Sequence, residues 1–355
     1  MYRDVFGESI MQVGICGYPG SGKSTVFGAL AGNTWSERGI TYGRIAVPDP
    51  RVDRLAEVFT PKKKVYAEIV FVDVGGKPGR IDSGAFPPET VQAMRNADVL
   101  THVVRGFDNP ILGKVSDPDR DEGLFLDEIM LLDLMLLEAR RDRFRKENRK
   151  GLDADITLRC IEQLESGRPL RSLEIGEEGW GTLRDVQLLS SKPLITLYNL
   201  SEDAYADPEF SRYSDHRDQG NSSLTMAICG AIEAEIATLP AEEQGEFLEG
   251  LGLGEPARNA FIQTAYRLLD LISFLTAGPD ECRAWPIRRG TIARKAAGKV
   301  HSDIERGFIR AEIYRLEDLE ELGSETALRS AGKMRLEGKS YVMVDGDVVN
   351  YRFNV

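Results

Sequence analysis

The residues Gly17-Tyr18-Pro19-Gly20-Ser21-Gly22-Lys23-Ser24 match the P-loop pattern G-x-x-x-x-G-K-[ST] at every fixed position. Glycines let backbone N–H groups point inward around a β-phosphate, and the N-terminus of a following helix adds partial positive charge. At this spacing Lys23 can reach the β- and γ-phosphate oxygens, and the Ser24 hydroxyl can ligate Mg²⁺. The pattern predicts a site for Mg²⁺ and a nucleoside triphosphate, in which Lys23 supplies the main catalytic charge.

The sequence around this motif supports the same interpretation. Val13, Ile15 and Cys16 form an apolar run typical of a buried strand, and residues 26–30 continue as a helix. The alternative, a glycine-rich turn that binds nothing, is disfavoured, because chance glycines would not bring Lys-Ser to the first turn of a helix.

A second phosphate-side element is predicted where an apolar strand, residues 66–72, ends in Asp73-Val74-Gly75-Gly76. In a D-x-x-G element the Asp73 carboxylate holds Mg²⁺ through a water, and the Gly76 amide senses the γ-phosphate. The pattern alone also describes many turns. Its position about fifty residues after the P-loop favours the functional interpretation. The polar stretch Asn33–Tyr42 is expected to be a mobile switch loop.

Two further strands end in residues that could recognise a base. Residues 193–198 lead into Asn199-Leu200-Ser201-Glu202, and residues 224–228 lead into Cys229-Gly230-Ala231. The order of P-loop, D-x-x-G, N-x-x-[DE] and a small-residue loop is typical of a switch NTPase. His102 lies in another apolar stretch, and we expect a strand histidine that is satisfied by the fold rather than a catalytic base.

The remaining patterns predict an α/β chain of three parts. Leu124–Lys150 and Asp153–Ser166 carry apolar stripes at helical spacing, which predicts an antiparallel hairpin projecting from the domain. After Asp270, short strands are expected at 271–275, 309–314, 341–344 and 348–353, with a helix at 292–297 and a hairpin turn at 345–347. The predicted boundaries are 11–122 with 190–269 for the nucleotide-binding domain, 123–189 for the helical insertion and 270–355 for an α+β domain.

Composition narrows the functional classes. The chain has 355 residues, 42% hydrophobic and 29% charged, with a net charge of −12, which argues against a general polyanion binder and against sequence-specific DNA binding. Four cysteines are far apart and indicate neither a zinc site nor a disulfide framework. The N-terminal residues contain no apolar segment of signal-peptide length, and there is no run of 18 apolar residues. We therefore expect a cytoplasmic protein without membrane partners.

Several longer stretches make the chain resemble the YchF / Obg-like ATPase family. They are VPDPRVDRLAEVF, DVLTHVVRGFDNP, RPLRSLE, KPLITLYNLSED, FLTAGPDECRAWPIRRGTIARKAAGKVHSDIERGFIRAEI and GKSYVMVDGDVVNYRFNV. The resemblance implies a Ras-like P-loop NTPase domain interrupted by an α-helical coiled-coil hairpin and followed by a TGS domain, a β-grasp module. It also implies association with the ribosome or RNA, and ATP accepted in preference to GTP.

The same resemblance implies roles for individual residues. The phosphate-binding residues would be Gly17, Pro19, Gly20, Ser21, Gly22, Lys23, Ser24, Thr25 and Gly76. The metal would be held by Ser24 and Asp73. The base would be contacted by Asn199, Leu200, Glu202, Cys229, Gly230 and Ala231.

Departures from the family pattern fall on the phosphate side. Gly20-Ser21 stands where the family P-loop has Asn-Val, and Lys77 follows D-x-x-G where the family has an apolar residue. Lysine cannot orient the attacking water as glutamine does, so we expect low intrinsic turnover that a partner raises. Two alternatives stay open: a P-loop small-molecule kinase, and a nucleotide-binding scaffold with impaired catalysis.

Overall fold

A computed structural model describes residues 11–31, 33–37, 40–74, 86–109, 113, 115–206, 223–251 and 255–354. The chain divides into two compact units. The first contains residues up to Ile45 together with Val70–Phe261, and the second contains Ala46–Ile69 and the residues from Ile262 onward. Residues 46–69, which the sequence-based boundaries place in the nucleotide-binding domain, therefore pack with the C-terminal unit.

The first unit is built on a seven-stranded sheet of order β2-β3-β5-β1-β6-β7-β8. Its strands are β1 Gln12–Cys16, β2 Asn33–Glu37, β3 Ile40–Ala46, β5 Glu68–Asp73, β6 Val99–Gly106, β7 Leu194–Leu200 and β8 Ser223–Ile228. β1 pairs in parallel with β5 and β6, β6 with β7, and β7 with β8. Because these strands run in parallel, their carboxyl ends meet at one edge of the sheet, where α/β proteins bind ligands.

The helices of the described chain follow the predicted ones closely where the apolar periodicity is strong. They are α1 Lys23–Leu30, α2 Pro50–Phe59, α3 Pro88–Asn96, α4 Pro118–Lys146, α5 Leu152–Glu165, α6 Gly176–Gly181, α7 Glu202–Ala206, α8 Gly230–Thr238, α9 Ala241–Gly250, α10 Ala257–Leu268, α11 Ala293–Val300, α12 Ser302–Arg306, α13 Leu316–Leu322 and α14 Glu325–Ser330. α2 begins as its sequence indicates, because the Asp49 side chain accepts a hydrogen bond from the Arg51 backbone N–H at 3.0 Å.

The predicted hairpin exists, but it does not project over its whole length. α4 and α5 pack together and are joined by residues 147–151. In the first half of α4, Phe125 and Ile129 are fully buried in the core cluster that includes strand residues Cys16, Val72 and Leu100. The second half packs on α5 through residues such as Leu137, which shares a buried cluster with Ile156, Cys160 and Leu164. The prediction was wrong here because an apolar stripe does not reveal whether it faces a sheet or a helix.

The return from the helical pair to the sheet is held by a buried carboxylate on α4. Asp133 is fully buried and accepts hydrogen bonds from the Leu189 N–H at 2.9 Å, the Ser190 N–H at 2.7 Å and the Ser190 hydroxyl at 2.8 Å. Burial raises the pKa of Asp133, and these hydrogen bonds oppose that shift. The contact fixes the segment before β7 against α4, and so helps to position the end of β7.

The stretch predicted to be a switch loop is instead an edge hairpin. β2 and β3 pair antiparallel, with Trp35 opposite Tyr42, and the two rings stack at 5.5 Å between centroids. The prediction of a loop was wrong because the stretch is polar overall. Its Thr, Trp and Tyr side chains nevertheless have high strand propensity, and Trp35 pairs with Tyr42 across the two strands.

The second unit has a six-stranded sheet of order β12-β11-β13-β9-β10-β4. The strands are β4 Lys63–Val65, β9 Leu271–Ala277, β10 Glu281–Arg288, β11 Phe308–Tyr314, β12 Arg335–Glu337 and β13 Val348–Phe353. α11 packs its buried alanines against this sheet. The strand predicted at 341–344 is wrong, because that segment makes only an isolated bridge between Val342 and Ile292. The turn at 345–347 is present, with Gly346 at φ 85°, but it does not join two paired strands.

Candidate functional site

The P-loop runs from the carboxyl end of β1 to the first turn of α1, and its glycines are required by geometry. Gly20 and Gly22 have φ values of 84° and 79°, a region that side chains disfavour. A Cβ atom at Gly17 would lie 2.7 Å from the carbonyl oxygen of Val103. Gly22 is the N-cap of α1 and offers no side-chain acceptor, so the first N–H groups of the helix remain available to an anion.

Lys23 and Asp73 are brought together as the sequence predicts. The Lys23 ammonium forms an ion pair with the Asp73 carboxylate, and only 12% and 17% of the two side chains is exposed. Ser24 and Thr25 are exposed on the first turn of α1. The Ser21 hydroxyl is buried without a hydrogen-bond partner among the described residues. A buried unpaired hydroxyl, a helix start without a cap and an ammonium group together suit the oxygens of a polyphosphate.

The same cluster suits a hard divalent cation. Mg²⁺ takes oxygen ligands and is usually bound by one or two protein side chains together with phosphate oxygens and waters. Ser24 and Asp73 are two oxygen-bearing side chains beside the P-loop, which is enough for such a site. In the described part of the chain, no group of three or more His, Cys, Asp and Glu side chains could hold a metal by itself.

Asn199 links the P-loop to the loop after β8. Its Nδ2 donates to the Ser21 carbonyl at 3.0 Å, and its Oδ1 accepts from the Gly230 N–H at 2.9 Å. A Cβ atom on Gly22 would lie 2.2 Å from Nδ2, which is a second reason for glycine at that position. Asn199 is 4% exposed. Its amide thus holds two loops at a fixed separation.

The other residues predicted to contact a base are only partly brought together. Leu200 is 3% exposed and packs with Val104, Tyr198 and Ala227, so a contact with a base requires its side chain to turn out of this cluster. Glu202 and Ala231 are exposed, at the starts of α7 and α8. Cys229 and Gly230 are buried, and burial raises the pKa of the Cys229 thiol, which keeps it protonated. Gly76 lies outside the described residues.

A cluster that the sequence did not predict connects the P-loop to α4. The Tyr18 hydroxyl donates to the Glu128 carboxylate at 3.3 Å, and the Phe86 backbone N–H donates to the other oxygen of Glu128. The Tyr18 and Phe86 rings are parallel, with centroids 5.5 Å apart. Burial raises the pKa values of both Tyr18 and Glu128. The available signals were an aromatic residue in the P-loop and a glutamate within the apolar stripe of α4.

His102 belongs to the same cluster, and it is not satisfied as predicted. Its ring stacks on Phe125 with centroids 4.0 Å apart and meets the edge of Tyr18 at 6.0 Å. Neither ring nitrogen has a hydrogen-bond partner among the described residues. Burial lowers the pKa of His102 to about 3, so the ring is a neutral packing group.

The fold and the loops at its edge define a P-loop domain of the Ras-like class, with an inserted pair of helices and a C-terminal unit of the TGS-like, β-grasp type. Residues 12–139 match the MMR_HSR1 family, described as "50S ribosome-binding GTPase". Residues 271–354 match the YchF-GTPase_C family, described as a protein of unknown function. The described helices include none with the length and apolar character needed to cross a membrane.

Relatives match nearly the whole chain. "Ribosome-binding ATPase YchF" of Bacillus subtilis is 38% identical over 366 residues, covering 97% of this chain and 100% of the relative. "Obg-like ATPase 1" of Homo sapiens is 32% identical over 374 residues, covering 98% and 93%. The solved Schizosaccharomyces pombe YchF GTPase superposes with a TM-score of 0.85 at 29% identity, covering 96% and 97%. The chain belongs to the YchF / Obg-like ATPase family.

Proposed function

We propose that this chain is a nucleotide-dependent switch NTPase that binds ATP with Mg²⁺, hydrolyses it slowly and regulates association with the ribosome. GTP is a weaker substrate in this proposal. Relatives that match the chain over 97% of its length are named ribosome-binding ATPases, which supports both the reaction and the partner.

The observation that carries the proposal is the ion pair between Lys23 and Asp73 beside the exposed Ser24 hydroxyl. A triphosphate competes with Asp73 for the Lys23 ammonium, because both are oxyanions of high charge density. When the Lys23 ammonium leaves the Asp73 carboxylate and pairs with the phosphate oxygens, the carboxylate becomes available to bind the metal. Binding of the nucleotide is thereby coupled to a rearrangement at the carboxyl end of β5.

Hydrolysis depends on positioning and charge neutralisation by this chain's own groups. Lys23 binds the β- and γ-phosphate oxygens, the N–H groups at the start of α1 orient them, and Ser24 with Asp73 would hold Mg²⁺. The metal, when bound, neutralises charge on the phosphates. Lys77 follows the D-x-x-G motif and cannot orient water as glutamine does, so slow turnover is proposed.

The proposed preference for ATP over GTP rests on residues 199–202, which depart from the guanine-binding motif N-K-x-D. In that motif the aspartate accepts two hydrogen bonds from guanine, whereas Glu202 here is longer and Leu200 replaces the lysine. The exposed position of Glu202 supports a weakened guanine contact rather than a strong adenine contact. We therefore propose a modest preference for ATP, about 1–3 kcal/mol, which is the worth of one buried polar match.

Single-turnover hydrolysis of γ-labelled ATP, with and without purified ribosomes, tests the function. The proposal predicts slow phosphate release that ribosomes accelerate. Binding without any release, in either condition, would favour the impaired scaffold. Transfer of label to added nucleosides or nucleotides instead of water would favour the kinase. Asp73→Asn is the matched variant, because it keeps the side-chain size and removes the charge that pairs with Lys23 and faces the metal.

A further inference from the structure

Four rings from separate parts of the chain form a closed cluster beside the P-loop. Tyr18 of the P-loop is parallel to Phe86, with centroids 5.5 Å apart, and meets the edge of His102 on β6 at 6.0 Å. Phe125 on α4 completes the cluster, because it stacks on His102 at 4.0 Å and meets Phe86 edge-on at 5.9 Å. Both geometries are favourable for aromatic pairs. Each ring is held by two others, so the position of Tyr18 is fixed by the sheet and by α4.

One carboxylate, that of Glu128 on α4, is bonded to two members of this cluster. One of its oxygens accepts a hydrogen bond from the Tyr18 hydroxyl at 3.3 Å, and the other accepts one from the Phe86 backbone N–H. The first contact reaches the P-loop. The second reaches the residue through which the chain that leaves the D-x-x-G motif comes to α3, which begins at Pro88. A single side chain thus joins both phosphate-side motifs.

Packing alone does not explain a carboxylate at this position. The Glu128 side chain is half-buried, and burial raises its pKa, while the two hydrogen bonds oppose that shift. No cation forms an ion pair with it in the part of the chain that the structure describes. A leucine would fill a similar volume without the cost of desolvating a charge. The carboxylate is therefore explained by the two donors that it holds.

Tyr18 passes this constraint on to the phosphate-binding loop through its backbone. Its carbonyl oxygen accepts a hydrogen bond from the Ser21 N–H at 3.2 Å, which closes a turn. That turn leads directly to Lys23, whose ammonium pairs with Asp73. A displacement of Tyr18 would therefore change where the turn lies relative to the D-x-x-G aspartate.

We propose that Glu128 is a positioning residue for ATP hydrolysis. Its hydrogen bonds go to Tyr18 and Phe86, so it acts through them and not on the nucleotide. The inference rests on the proposed function, since it concerns the rate of that reaction. Phosphoryl transfer depends on the alignment of groups around the γ-phosphate, and a misplacement of about 1 Å can slow a reaction about 100-fold.

Binding should respond differently from the rate. The P-loop amides and Lys23 bind the ground state and the transition state alike, and Glu128 supplies none of these contacts. Loss of Glu128 should therefore lower the rate of hydrolysis and leave the affinity for Mg·ATP unchanged. A residue that only stabilised the fold would not separate the two quantities.

The test compares Glu128→Leu with Glu122→Leu. Glu122 is a matched control, because it is also half-buried on α4 and accepts hydrogen bonds from the Thr196 hydroxyl at 3.0 Å and the Tyr198 hydroxyl at 2.7 Å, both on β7. Single-turnover phosphate release at saturating Mg·ATP gives the rate, and calorimetry gives the dissociation constant. Both are measured at a temperature at which thermal unfolding shows the proteins to be folded.

Glu128→Leu should slow phosphate release about 10- to 100-fold with unchanged affinity, because two hydrogen bonds that align the site are lost. Glu122→Leu should keep the rate of the wild type. Tyr18→Phe is the milder second variant, since the stacked ring and the Phe86 contact remain. It should slow release about 3- to 10-fold, the worth of one hydrogen bond, and it carries the test if Glu128→Leu does not fold.

Wild-type rates in Glu128→Leu or, where that variant does not fold, in Tyr18→Phe would overturn the inference while the proposed function stands. Affinity that falls by the same factor as the rate would also overturn it, because the contact would then support binding in general. An equal loss of rate in Glu122→Leu would do the same, since any change on α4 would then suffice. Absence of phosphate release by the wild type would contradict the proposed function, and the inference with it.

Discussion

The side-chain oxygen of Asn199 accepts a hydrogen bond of 2.9 Å from the backbone N–H of Gly230, so the end of β7 is fixed to the start of α8. Through its amide nitrogen the same side chain holds the Ser21 carbonyl of the P-loop. Loops far apart in sequence are therefore held together by one buried amide. This contact joins the P-loop to the two loops that are proposed to contact the base.

Asn199→Ala should lower the free energy of unfolding by about 1–3 kcal/mol, because it leaves the buried Gly230 N–H and Ser21 carbonyl unpaired. It should also weaken ATP binding, since the P-loop loses its support. Urea unfolding and calorimetric titration measure the two effects. Asn96→Ala is the matched control, since Asn96 is exposed on α3. If Asn199→Ala were as stable as the control, Asn199 would not be the link between these loops.

His102 should make the folded state sensitive to acid. The unfolded chain takes up a proton on this residue at about pH 6.5, whereas the folded protein does so only at about pH 3. The unfolded state thus binds more protons between these values, and stability falls as the pH drops from 6.5 towards 3. The loss on going from pH 7 to pH 5 should be about 2 kcal/mol.

The variant His102→Leu isolates the part of the pH dependence that is due to His102. The carboxylates titrate in both the wild type and the variant, so their effect cancels in the comparison. Urea unfolding of wild type and variant at pH 7 and pH 5 gives the difference. At pH 7 His102→Leu should be at least as stable as the wild type, because an apolar side chain replaces a ring whose two nitrogens are unpaired among the described residues. Parallel losses of stability in the two proteins would show that His102 is protonated in the fold.

Tyr18 and Glu128 should be energetically coupled. Tyr18→Phe keeps the stacked ring and removes the hydroxyl, and Glu128→Gln keeps the size of the side chain and removes its charge. A double-mutant cycle on the free energy of unfolding should give an interaction energy of about 0.5–3 kcal/mol, the range for side chains in contact. A pair of Tyr18→Phe with Asn96→Ala should be additive. An additive Tyr18–Glu128 cycle would mean that the P-loop is not connected to α4 through this contact.

Sequence reasoning predicted the parts of this molecule that local chemistry determines. The strand before Gly17, the helix after it and the proximity of Lys23 and Asp73 follow from periodicity and motif spacing. The rest depends on contacts between distant residues. The apolar stripe of α4 gave no sign that its first half would bury His102 under Phe125. The pattern N-x-x-E likewise did not show that Asn199 would hold Ser21 and Gly230 while Leu200 turned into the core.

The preference for ATP over GTP should be modest, and a substitution at Glu202 should change it. In competition binding, the wild type should bind ATP more tightly than GTP by about 1–3 kcal/mol, or roughly 5- to 150-fold. Glu202→Asp should narrow the gap, because the shorter carboxylate better fits the guanine edge and the exposed position tolerates the change. Leu200→Lys alone should destabilise the fold, since Leu200 is buried. Tighter binding of GTP than ATP by the wild type would contradict the assignment.

The central claim is that the P-loop binds a nucleoside triphosphate through Lys23, and calorimetric titration of Mg·ATP into wild type and Lys23→Ala tests it most directly. Lys62→Ala serves as the control, because the Lys62 side chain is 81% exposed on the second unit. Thermal unfolding of all three proteins checks that they are folded. Loss of a charge-assisted contact should weaken binding by Lys23→Ala about 10- to 150-fold, with the control unchanged. Equal affinity of the wild type and Lys23→Ala would contradict the account.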